Sequence, residues 1–154
     1  VSEMAVMTFR EILGKPSSAL QAMVDGLRSC GPNFVVYMNS FGHIENGICY
    51  GCAATCCIQK ATGKQYADFL EKYPDENPED YASFYGISVE EFSDFEGAMD
   101  LARRGFISSL LDYFDIDAGS HYQWDSRFKL DDGNWQTQLF LVDEVIADMK
   151  AAGI

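Results

Sequence analysis

Apolar residues recur at helical spacing along most of the chain, and glycine or proline interrupts each run. Thr8 followed by Glu11 has the form of a capping box and opens a short helix that Gly14 and Pro16 end. The next helix is expected to start near Ser17 or Ser18. Its apolar positions Leu20, Met23, Val24 and Leu27 recur at three and four residues, and Gly31-Pro32 stops it. Phe34 to Met38 is short, rich in β-branched and aromatic residues and bounded by Pro32-Asn33 and Asn39, so it reads as a strand, with Gly47 to Tyr50 as its expected partner. Cys52 to Ala61 reads as a short helix broken by Gly63, and Gln65 to Tyr73 as another.

After a loop at Pro74 to Pro78, Asn77 and Pro78 supply a cap and a first-turn proline for a helix over Glu79 to Tyr85, ended by Gly86. Ser88 and Glu91 repeat the capping box ahead of a helix over 89–104, with Phe92, Phe95, Met99 and Ala102 on one stripe, Arg103 and Arg104 late and Gly105 beyond. Phe106 to Phe114 reads as helix, and Asp115 to Gly133 as loop with a short extended piece at Arg127 to Leu130. The last helix, over 135–151, carries Trp135, Leu139, Val142, Ile146 and Met149 at spacings of four, three, four and three. The pattern predicts a mainly α fold: one domain over 1–154 of six to eight helices, with a small two- or three-stranded β element near residues 34–50.

Composition agrees, since 154 residues with 47% apolar and 14% aromatic content can bury a sizeable core. No apolar run reaches the roughly 18 residues of a membrane span, and Val1 to Arg10 lacks a signal-peptide pattern. The expectation is a soluble, cytoplasmic chain off the membrane. A formal net charge of −13 works against direct binding to nucleic acid or anionic lipid, and permits a cation or a basic protein partner.

Five cysteines, four of them within Cys49 to Cys57, do not make a secreted disulfide scaffold and fit reduced thiols. The segment Asn46 to Cys57 has four readings. In the plainest, a glycine-bearing turn feeds a helix whose cysteines are small apolar residues that allow close packing. In the second, Cys49, Cys52 and Cys56 hold zinc or iron, although no second ligand pair follows and Cys30, His43 and His121 are isolated. The third, thiol redox exchange, needs a Cys-x-x-Cys pair at a helix start within a βαβ unit. The fourth is a cysteine nucleophile. Asn46 to Ala54 loosely resembles the papain-like pattern, which would make Cys52 the nucleophile with His121 and Asn134 as its partners. The match covers some ten residues, lacks the oxyanion glutamine and the following tryptophan, and the papain fold demands more strand than this chain offers.

Asp112, Asp115, Asp117, Asp125, Asp131 and Asp132 crowd one stretch that begins like a calcium loop. Ser120 then stands where glycine is needed and Ser126 where a bidentate glutamate belongs, so a solvated loop is expected. Trp124 and Trp135 read as packing residues. Ile48 to Thr55, with its Cys-Tyr-Gly-Cys-Ala-Ala-Thr run, and Phe95 to Gly105 resemble a family of short uncharacterised bacterial proteins, a likeness that implies no activity, ligand or site residue. With no phosphate loop, paired catalytic carboxylates or ligand quartet in view, the expectation is a small acidic adaptor or regulatory binding module without a cofactor, acting on a protein partner or as a homodimer. The alternative is a cysteine-dependent enzyme or a thiol redox or metal protein that uses Cys49 to Cys57.

Overall fold

The computed structural model describes residues 8–29, 34–36, 42–75, 78–98, 106–117, 123–124, 127 and 133–154. Eight helices lie among them: α1 (Phe9–Leu13), α2 (Pro16–Arg28), α3 (Ala53–Thr62), α4 (Tyr66–Lys72), α5 (Pro78–Tyr85), α6 (Val89–Ala98), α7 (Phe106–Tyr113) and α8 (Trp135–Ala151). Three short strands, β1 (Phe34–Val36), β2 (Gly42–Glu45) and β3 (Ile48–Gly51), complete a mainly α architecture.

The capping box opens α1 as the sequence indicates: the Glu11 backbone N–H donates to Thr8 Oγ1 at 3.2 Å, and that hydroxyl donates to Glu11 Oε1 at 3.1 Å. One boundary differs. Pro16 does not end the first helix but occupies the first turn of α2, ahead of the expected Ser17 start. Proline fits there because the first-turn N–H has no intrahelical acceptor and the ring's φ is already helical.

The sheet has the order β1-β3-β2. β1 runs parallel to β3, with Phe34 opposite Cys49 and Val36 opposite Gly51, so the expected pairing of these two segments is present. The apolar pattern does not announce β2. This strand pairs antiparallel with β3 through a two-residue turn at Asn46 (φ 53°) and Gly47 (φ 78°), the positive-φ pair that a tight hairpin requires.

α2 is the spine of the core: Ala19, Leu20, Met23, Val24 and Leu27 are buried between α3 and α8. α8 contributes Leu139, Val142, Val145, Ile146 and Met149, close to the stripe read from its four-three spacing. Two polar contacts pin these helices together. Arg28 pairs with Asp143 at 2.6 Å, and Ser17 Oγ donates to the Ile154 carbonyl at 3.1 Å. A second apolar layer joins α1, α6 and α7, where the Phe9 and Phe95 ring centroids lie 4.3 Å apart and Tyr113 meets Phe95 edge-on at 5.4 Å. Tyr66, Phe69, Tyr73, Phe84 and Tyr85 form an aromatic cluster between α4 and α5. Helix 89–104 is seen to Ala98, and residues 99–105, like Phe128–Leu130 of the expected extended piece, lie outside the described residues.

Among the described residues, no helix is long and apolar enough to cross a membrane.

Candidate functional site

The cysteine segment passes from strand into helix. Cys49 lies in β3, in register with Phe34 on one side and Ile44 on the other. Gly51 is buried, and Cys52 takes an extended conformation (φ −88°, ψ −177°) as the cap residue of α3. Its carbonyl accepts the first helical bond, from Cys56 N at 3.1 Å. The Cys52 thiol is half-buried, with Thr55 Oγ1 at 3.6 Å.

Cys56 and Cys57 are in a different environment, both fully buried in the α2–α3 contact. The Cys57 thiol donates to the Ala19 carbonyl of α2 at 3.4 Å. Burial first, and the neighbouring Cys52 second, push the Cys57 thiol far above the usual thiol range. It is therefore held protonated, and a protonated thiol is a poor nucleophile. Cys56 faces α2 at Gly26, where an added Cβ would lie 2.3 Å from the Cys56 carbonyl oxygen and 3.2 Å from its Cβ. Small residues on both helices thus let the backbones approach to contact.

The other candidates are dispersed. Asn134 stands at the start of α8, where its carbonyl accepts from Thr137 N (3.1 Å), Gln138 N (3.2 Å) and Thr137 Oγ1 (2.9 Å). His43 is on β2, opposite Tyr50. His121, Cys30, Asp125, Asp131 and Asp132 lie outside the described residues. Asp112, Asp115 and Asp117 are exposed, and Asp115 pairs with Arg10 at 3.7 Å. Trp124 is buried and Trp135 half-buried, both as packing residues. Among the described residues, no group of three His, Cys, Asp or Glu side chains could hold a metal ion.

A feature that no motif announced lies where α1, α6 and α7 meet. An open groove of about 360 Å³ is lined by Arg10 of α1, Asp94, Gly97 and Ala98 of α6, and Ser109, Asp112 and Tyr113 of α7. The Arg10 guanidinium sits 4.6 Å from the Tyr113 ring centroid. The Tyr113 hydroxyl donates to Glu91 in the first turn of α6. Ser88 Oγ caps the same turn by accepting from Glu91 N at 3.2 Å. Burial raises the Glu91 carboxyl above the ordinary carboxylate range, against the opposing pull of Arg10 and of a hydrogen bond from the Phe9 backbone. The signal for this groove was present as two trios at three- and four-residue spacing, 94/97/98 and 109/112/113, but only the pairing of α6 with α7 makes them face each other.

No protein-family profile, curated protein or solved structure matches the chain.

Proposed function

We propose that the chain is a small acidic adaptor or regulatory binding module, acting in the cytoplasm by contact with a protein partner or a second copy of itself rather than through thiol chemistry. The observation that supports this reading is the placement of Cys56 and Cys57. The cluster that could have carried redox, metal or nucleophilic chemistry commits two of its thiols to the contact between α2 and α3. A charge of −13 favours basic partners and opposes nucleic acid and anionic lipid.

Cys52 sustains the second reading, a cysteine-dependent activity, because its thiol is only half-buried at the start of α3 while Cys56 and Cys57 are fully buried. The two readings separate in one experiment. The intact protein is recovered from its host in mild salt, and the complex is rebuilt from purified components. A binding module gives a complex of fixed stoichiometry that salt dissociates and Cys52→Ala leaves unchanged. A substrate turnover that disappears in Cys52→Ala contradicts the proposal.

A further inference from the structure

The groove at α6 and α7 has properties that its own packing does not require. Gly97 is exposed, its φ is not left-handed, and a Cβ built there meets no atom within 4 Å. Neither a turn conformation nor a close approach within the described chain calls for glycine at this position, and glycine weakens a helix relative to alanine. What glycine does provide is a bare stretch of helix backbone in the groove lining, next to the small side chain of Ala98.

The charged lining is two carboxylates against one guanidinium. Asp94 on α6 and Asp112 on α7 are both exposed and line the groove from the two helices. The groove's cation, Arg10, is drawn toward the Tyr113 ring at 4.6 Å and Asp115 at 3.7 Å. The groove is open rather than enclosed, whereas a small ligand is held by burying about 70–90% of its surface. A side chain projecting from a larger surface has no such need, because its affinity is shared with the rest of the interface.

We propose that this groove is the docking surface of the module and that its occupant is a lysine- or arginine-bearing segment of a partner protein, with a basic side chain lying over Gly97 between Asp94 and Asp112. The inference rests on the binding-module reading above and adds to it the surface and the chemistry of the partner. Charge complementarity selects the occupant. The overall charge of −13 steers basic segments toward the molecule, and the two carboxylates lining the groove, one from each helix, mark where a basic side chain settles.

The probe is a synthetic peptide of alternating lysine and alanine, titrated into the isotope-labelled full chain and followed by two-dimensional NMR at low and at moderate salt. The expected result is saturable shifts at the amides of Asp94, Gly97, Ala98, Ser109 and Asp112, weakened by salt. Asp94→Asn with Asp112→Asn should weaken binding about tenfold or more, while Asp68→Asn with Glu71→Gln, an equal charge change on α4, should alter it less than about twofold. Gly97→Leu changes no charge and fills open space, so it should fold with full helicity yet lose the peptide to a similar degree. Shifts spread over the acidic surface, equal effects of the two charge pairs, or undiminished binding by Gly97→Leu would each overturn the assignment. Saturable binding elsewhere on the molecule refutes the groove but leaves the binding-module reading standing, whereas turnover dependent on Cys52 refutes that reading whatever the groove does.

Discussion

Gly26 of α2 lies directly on the backbone of Cys56 in α3, so closely that a methyl group at position 26 would come within 2.3 Å of the Cys56 carbonyl oxygen. The atom in the way belongs to the main chain, so no rotamer change relieves the clash. Gly26→Ala must push the two helices apart. Alanine's better helix propensity recovers part of the loss, leaving a net destabilisation of about 2 kcal/mol. Urea unfolding of the two proteins measures it. A variant as stable as the parent would show that α2 and α3 are not in contact at this point.

Gly47 is constrained by conformation rather than space. With φ at 78°, it shares the β2–β3 turn with Asn46 at 53°. Gly47→Ala places a β-carbon in the left-handed region and should cost about 1–2 kcal/mol, although nothing lies within 4 Å of the added atom. Thermal unfolding followed by circular dichroism reads the loss. Asn46→Gly keeps a residue suited to positive φ and is expected to change little.

Glu91 gives the fold a pH dependence whose sign follows from its environment. Burial raises its carboxyl in the folded state, so the folded chain holds this proton more tightly than the unfolded chain. Its contribution to stability is therefore greatest below the ordinary carboxylate pKa and declines as pH rises through the raised value. Glu91→Gln keeps an oxygen acceptor for the Tyr113 hydroxyl and removes the charge. It should flatten the stability profile above the ordinary carboxylate range and leave the protein at least as stable at neutral pH. A variant clearly less stable than the parent at neutral pH would mean that attraction to Arg10 outweighs desolvation.

Where one helix turn or one strand contains its own instruction, the fold was legible in the sequence. The Thr8–Glu11 box, the stripe of α8 and the β1–β3 pairing are such cases, each depending on local spacing or a compact apolar run. β2 was not legible from its residues, because Gly-His-Ile-Glu is a poor strand sequence and exists as a strand through its turn. Asn46-Gly47 was the available sign. Pro16 reads as a terminator in the sequence because the same residue type stops one helix and starts another. Burial of Cys56 and Cys57 could be read from their apolar neighbours, but their facing partners Gly26 and Ala19 could not, since each pair is thirty or more positions apart in the chain with a sheet between the two helices. The groove is the extreme case: Arg10, Asp94 and Asp112 come from three helices and meet only in the folded chain.

The central claim is that the cysteine cluster is packing at its core and accessible only at its edge. Timed alkylation of the reduced, native protein, with each site located by mass spectrometry, tests it most directly. Cys52, half-buried at the start of α3, should label first, while Cys56 and Cys57 should label only at the rate of unfolding and become as reactive as Cys52 in denaturant. Labelling of Cys56 or Cys57 at the native Cys52 rate, in protein that remains folded, would contradict the account.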